Sequence, residues 1–175
     1  MNQYTASKTQ TDQHVSSFFS IEIDEYWMQR ALCLADQAAQ RGEVPVGALM
    51  IRQQQLISES FNLTLTHQDP TAHAELLVLR QAAQVLQNHR LPDCDLYVTL
   101  EPCAMCAGAL LHARVRRVVF GCFDRKTGVA GGVLSLFDYA SLNHQTHVRG
   151  GILHRKCAET ISSFFQDLRN NQSKK

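Results

Sequence analysis

The stretch DLYVTLEPCAMCAGALLHARVRRVVFG, residues 95–121, decides the fold. DLYVTLE (95–101) has the length and near-continuous apolar character of a strand buried on both faces. PCAMCAGALLHAR (102–114) follows as a short apolar helix, and RRVVFG (116–121) as another strand. Strand, helix and strand in such quick succession imply parallel pairing through a right-handed crossover. Ligands of such sheets sit beyond the strand carboxyl ends, beside helix N-termini. Here that helix opens with two cysteines.

Working outward, DPTAHAELLVLRQAA (69–83) passes from a polar turn into a helix expected over about residues 72–87, with His73 and Glu75 near its start. From Asp24 onward, Trp27, Met28, Ala31, Leu34, Ala35 and Ala38 recur at helical spacing, and Gly42 is a C-terminal stop. VGALMIR (46–52) and LISESF (56–61), separated by a polar QQQ, predict an antiparallel hairpin. Beyond the Gly-rich DRKTGVAGG (124–132) come a short strand near His147–Arg149 and a closing helix from about His154 to Arg169. The expectation is an α/β protein, a three-layer α/β/α domain on a mixed five-stranded sheet over residues 21–170. Residues 1–20 are expected to be a mobile N-terminal tail and residues 171–175 a C-terminal tail.

Composition narrows the function classes. A chain of 175 residues suits one compact domain, and 45% hydrophobic with 19% charged residues is ordinary for a globular protein. The formal net charge of +1 carries no polycationic signature, so any nucleic-acid site must come from local clustering. The clusters available are His112, Arg114, Arg116 and Arg117, then Arg125 and Lys126, then Arg149, Arg155 and Lys156. No apolar run approaches the roughly 20 residues needed to cross a bilayer, so no membrane partner is expected. MNQYTASKTQTDQHVSSFFS lacks the basic and apolar regions of a signal peptide. Six cysteines are too sparse for a disulfide scaffold, which implies reduced thiols and a cytoplasmic setting.

Cys103 and Cys106, three residues apart, share one helix face and lean toward the helix N-terminus, whose partial positive charge favours thiolates. Pro102 suits the first helical position, where no N–H is needed. His73 and Glu75 pose a puzzle, since two residues of helix rotate by about 200°. In the first turn no earlier turn blocks them, so both can reach past the helix end. His73, Cys103 and Cys106 would then bind one zinc and leave a tetrahedral position for water. Glu75 is the acid/base that would move that water's proton to the substrate. A C-x-x-C is also compatible with redox chemistry or with half of a structural zinc site, Cys94 or Cys122 supplying a fourth ligand. That reading leaves Glu75 without a reason. Cys33 and Cys157 are expected as core fillers in amphipathic helices, and Asn62 serves either turn chemistry or a substrate.

His73-Ala74-Glu75 followed by Pro102-Cys103-Ala104-Met105-Cys106 is the H-x-E…P-C-x-x-C signature of zinc deaminases. RGEVPVGA (41–48), DPTAHAE (69–75), LYVTLEPCAMCAGALLHAR (96–114) and RVVFGCFDRKTGVAGG (117–132) together resemble the bacterial tRNA-specific adenosine deaminases, over roughly residues 24–169. The resemblance implies a cytidine-deaminase-like fold and hydrolytic deamination of the wobble adenosine of an arginine tRNA to inosine. It assigns one zinc per subunit to His73, Cys103 and Cys106, and the proton shuttle to Glu75. It also implies a homodimer gripping a tRNA anticodon loop, with no DNA partner expected in the cell. Asn62 matches a position that hydrogen-bonds the flipped base, and Asp124 and Lys126 lie in a loop beside the RNA, as does Phe164-Phe165 in the last helix. FNLTLTHQ (61–68) matches a variable loop. A salvage deaminase acting on free bases or nucleosides would use the same metal chemistry and is the competing reading.

Overall fold

The computed structural model describes residues 20–172. Along the chain run α1 (Ile21–Gln40), β1 (Gly47–Arg52), β2 (Gln55–Phe61), α2 (Thr64–His67), α3 (Ala74–Val85), β3 (Cys94–Leu100), α4 (Ala104–His112), β4 (Arg117–Cys122), a 3-10 turn (Leu136–Asp138), β5 (His147–Arg149) and α5 (His154–Gln172). The expected N-terminal tail lies outside the described residues, apart from Ser20, which caps α1 by accepting the Ile23 N–H at 3.3 Å. Gly42 stands just past α1 at φ +77°, as its stop signal implied. The last helix carries on to Gln172, two residues into the expected C-terminal tail, whose remainder is outside the described residues.

The five strands lie in the order β2-β1-β3-β4-β5. β1 is antiparallel to both β2 and β3, while β3, β4 and β5 are parallel, so the sheet is mixed as expected. The carboxyl ends of β2, β3 and β4 therefore emerge at one edge, together with the amino end of β1. Alternation along the strands sorts the core into two layers. Ala48, Met50, Leu96, Val98, Val118 and Phe120 face α3 and α4, and Leu49, Ile51, Tyr97 and Val119 face α1 and α5. Both faces are covered, which is why these strands read as unbroken apolar runs. Each fully buried aliphatic or aromatic side chain there contributes about 1.5–3 kcal/mol.

Several local expectations are corrected. Within FNLTLTHQ, read from sequence as a loop with no helix assigned, Thr64–His67 winds one helical turn around the buried carboxylate of Glu43. Cys157 is buried in the core as expected, but Cys33 is exposed, since the buried stripe of α1 runs through its neighbours Leu32 and Leu34 instead. The first helical residue of α4 is Ala104 rather than Pro102. Residues 102 and 103 stay extended because they pair with the Gly-rich segment: Val129 donates its N–H to the Pro102 carbonyl at 3.0 Å, and Cys103 bridges Gly128.

Candidate metal centre and its cavity

His73 occupies the N-cap of α3, with extended backbone (φ −71°, ψ 148°), one step before the helical first turn where the sequence placed it. The helical rotation rule does not apply to a residue outside the helix, so His73 turns freely toward α4 while Glu75 sits inside the first turn. Cys103 is likewise the N-cap of α4 (φ −78°, ψ 172°), and Cys106 lies in that helix's first turn. Two helix N-termini, each partially positive, thus face one point.

The three donor atoms converge there. His73 Nδ1 lies 3.5 Å from Cys106 Sγ and 3.8 Å from Cys103 Sγ, and all three atoms are within 4.8 Å of one another. A tetrahedral zinc with bonds of about 2.3 Å to sulfur and 2.0–2.1 Å to nitrogen needs sulfur–nitrogen edges of about 3.6 Å. The residues fit the ion. Among the described residues this is the one group of three or more such side chains that could hold a metal, and neither Cys94 nor Cys122 joins it. Burial pushes both of those thiols up to about 11, and Cys122 Sγ is directed at the Thr99 carbonyl. The fully liganded structural site is therefore excluded for these two cysteines.

Electrostatics at the centre are strongly coupled. The Cys103 thiol is pushed down to about 4, first by its hydrogen bond with Cys106 and then by that with His73. Cys106, fully buried, is pushed up by the same shared bond and by burial. The two shifts are one proton viewed from two sulfurs, and a divalent cation would displace it and hold both as thiolates. His73 is raised, chiefly by its hydrogen bond to Cys103. Burial raises the Glu75 carboxyl above the ordinary carboxylate value, opposed by a backbone hydrogen bond and by His73.

His73, Glu75 and Cys103 line a cavity of about 170 Å³ whose walls include Val46, Asn62, Leu100 and Asp124. That is several times the roughly 30 Å³ share of one water molecule. Asn62 is buried and its Oδ1 accepts the Ala74 N–H at 2.9 Å, satisfying a free donor of α3 right beside His73. Both readings of Asn62 meet here: the oxygen is committed to the helix, which leaves the amide NH₂ of this cavity-lining side chain as a donor. Asp124 fastens its own turn, accepting the Lys126 N–H at 2.8 Å and the Thr127 hydroxyl at 2.6 Å. Lys126 does not line this cavity. It lines a neighbouring one of about 730 Å³, with Phe123, Arg125, His154 and Phe165, which shares Val44, Leu100, Asp124 and Thr127 with the first.

The expected basic clusters are partly taken apart. Arg117 is buried and pairs with Asp24, which also holds Arg149 at 2.7 Å and accepts the Tyr97 hydroxyl at 2.9 Å. Arg116 forks onto Asp95 at 2.9 and 3.0 Å, and Arg155 meets Glu159 at 2.8 Å. Arg125 and Lys126 are exposed at the rim of the larger cavity.

Sequence reasoning missed two residues that shape the cavity. Glu43 is fully buried and accepts N–H groups of Leu65 and Thr66 and the hydroxyls of Thr64 and Thr66. Burial pushes its pKa up, yet those hydrogen bonds outweigh it and leave the carboxyl below its usual value. Glu101, 2% exposed, accepts three backbone N–H groups of the segment 124–132. Each stands beside a proline-containing apolar run, EVPV or EPC, and that misplaced charge was the available signal.

A His-Cys-Cys donor set, a buried glutamate beside it and a strand-end cavity make a candidate zinc centre of the kind that can activate water. The model of the cytidine and deoxycytidylate deaminase zinc-binding region matches residues 21–122. The tRNA-specific adenosine deaminase of Haemophilus influenzae is 47% identical over 152 residues, 86% of this chain and 88% of that protein. A solved structure from work on A-to-I editing by tRNA deaminases at the wobble position is 41% identical, with a TM-score of 0.74 over 77% of this chain and 98% of that one. A guanine deaminase from Nitrosomonas europaea, 20% identical with a TM-score of 0.67 over 94% of this chain and 97% of that one, shares the fold. The chain belongs to the cytidine and deoxycytidylate deaminase family and, within it, to the tRNA-specific adenosine deaminases.

Proposed function

We propose that this protein hydrolyses the wobble adenosine of a tRNA anticodon to inosine, with an arginine tRNA as the expected substrate. The observation that carries the reading is a three-ligand centre with Glu75 buried beside it, in a chain whose likeness to tRNA-specific adenosine deaminases extends over 86% of its length. His73, Cys103 and Cys106 would hold the zinc, which when bound would supply Lewis-acid activation of the attacking water. Water adds its oxygen at the amino-bearing carbon of adenine, and ammonia leaves. Glu75 takes the first water proton at a carboxylate oxygen and passes it to the adjacent ring nitrogen, then takes the second from the added hydroxyl and passes it to the departing amine. Burial, which raises its pKa above the ordinary carboxylate value, suits a group that must both accept and give a proton.

Asn62 presents its amide NH₂ to the flipped base, with its oxygen held by Ala74. Asp124 keeps the 124–127 turn closed against the base, and Lys126 meets phosphate or a neighbouring nucleotide at the larger cavity, where Phe165 offers a stacking face and packs edge-on to Phe164 at 5.5 Å. Sequence-specific RNA readers favour unpaired loops, whose bases are splayed at modest cost. A homodimer working in the cytoplasm completes the reading.

An inosine assay tests it, comparing an anticodon stem-loop that has adenosine at the wobble position with free adenosine, cytidine and guanine. Stacked neighbours worth roughly 1–3 kcal/mol each should give the stem-loop the far higher kcat/KM. Faster turnover of any free compound would assign the protein to the salvage class instead.

A further inference from the structure

One wall of the catalytic cavity comes from a segment without regular structure of its own, and Glu101 secures it. That glutamate directly precedes Pro102 and the ligand Cys103, and its carboxylate reaches across to residues 124–132. Oε1 accepts the N–H groups of Ala130 at 2.6 Å and Gly132 at 2.8 Å, and Oε2 accepts that of Asp124 at 2.9 Å. Among the described residues Glu101 makes no ion pair, so these directional bonds are what compensates a carboxylate that is 2% exposed. The fit is close: a Cβ on Gly128 or Gly132 would run into the carboxylate. The segment so held carries Asp124 and Thr127 into the catalytic cavity and Arg125 and Lys126 into the adjoining one, but no metal ligand.

We propose that Glu101 is a positioning residue for deamination: by gathering three backbone N–H groups at one buried carboxylate, it fixes the substrate-facing wall relative to the metal-bearing helix. The role rests on the deaminase reading above. Misplacing the wall moves groups that meet RNA, while His73 and Cys103 at the helix caps and Cys106 inside α4 lie outside the moved segment, so the defect falls first on substrate engagement. Glu101→Gln preserves shape but turns one acceptor into a donor that opposes an N–H. Counted per zinc-loaded site, it should raise KM for the stem-loop about tenfold or more. Zinc should stay at one per chain, and amide exchange at Ala130 and Gly132 should quicken.

Gly132→Ala approaches the same wall from the other side: its Cβ meets both the Glu101 carboxylate and the Asp124 carbonyl, pushes the segment off an intact Glu101, and should give the same two signatures. It decides the matter if Glu101→Gln fails to fold. Unchanged KM and unchanged exchange would overturn the proposal, as would activity that falls only in step with zinc content or folded fraction. A wild-type protein inactive on the stem-loop would overturn the function reading separately. In that event, exchange at Ala130 and Gly132 still shows whether Glu101 holds the wall.

Discussion

Glu75 is 4% exposed beside two thiols and an imidazole, where a carboxylate has few structural reasons to be. Replacing it by glutamine keeps the shape and removes proton transfer. Glu75→Gln should lower stem-loop turnover by about 10²–10⁴-fold while zinc content stays at one per chain, as metal analysis beside an inosine assay would show. Near-normal turnover would take Glu75 out of the chemistry. At this scale Cys103 and Cys106 were legible as candidate ligands because their spacing puts both thiols on one helix face whatever the rest of the fold, and His73 because it completes the H-x-E…P-C-x-x-C signature. Glu43 and Glu101 were not legible, since a buried carboxylate is identified by the N–H groups that reach it, and those come from residues 22 to 31 positions further along.

Among the elements, the β1–β2 hairpin carries a local conflict. Arg52 pairs with Gln55, leaving Gln53 and Gln54 as a two-residue turn with φ of +50° and +61°. That is the left-handed pair of a type I′ turn, which favours Asn-Gly and disfavours residues with a large side chain. Left-handed backbone costs an ordinary residue roughly 1–2 kcal/mol, so Gln53→Asn with Gln54→Gly should stabilise the fold by about 1 kcal/mol. Urea unfolding midpoints would measure the gain, and a loss of stability would mean the side chains matter more than the turn. The polar QQQ did mark a turn between two strands, yet its type was set by the twist of those strands. The ends of α3 and α4 show the same limit. Helical periodicity placed both helices, but the extended caps at His73 and Cys103 depend on bonds to Thr71, Asn62 and Gly128 that no local pattern encodes.

On the scale of the whole molecule, charge is distributed differently from its distribution along the chain. Asp24 in α1 draws in Arg117 from β4 and Arg149 from β5, tying the first helix to the far side of the sheet. Cations so engaged hold the fold, which leaves Arg125 and Lys126 as better candidates for phosphate contact. With about three phosphates contacted, log K for a stem-loop should fall with log salt at a slope near −2, taking about −0.7 per phosphate. Replacing Arg125 and Lys126 together should bring that slope to about −0.7 in a titration across salt concentrations. An unaltered slope and affinity would place both side chains in a solvated loop.

The sequence by itself determined the order of strands and helices, the two-sided burial of β3 and β4, and the identity of a His-Cys-Cys centre with Glu75 beside it. The elements follow from apolar periodicity and turn chemistry, the cysteine pair from its spacing within one turn of helix, and His73 with Glu75 from the signature that links them to that pair. Only the tertiary structure decided which arginines are internal, that Asn62 spends its oxygen on α3, and that two buried carboxylates hold the cavity walls. Such features are pairings between groups far apart in the chain. Their free energy depends on the low-dielectric surroundings that exist once the sheet has closed around them.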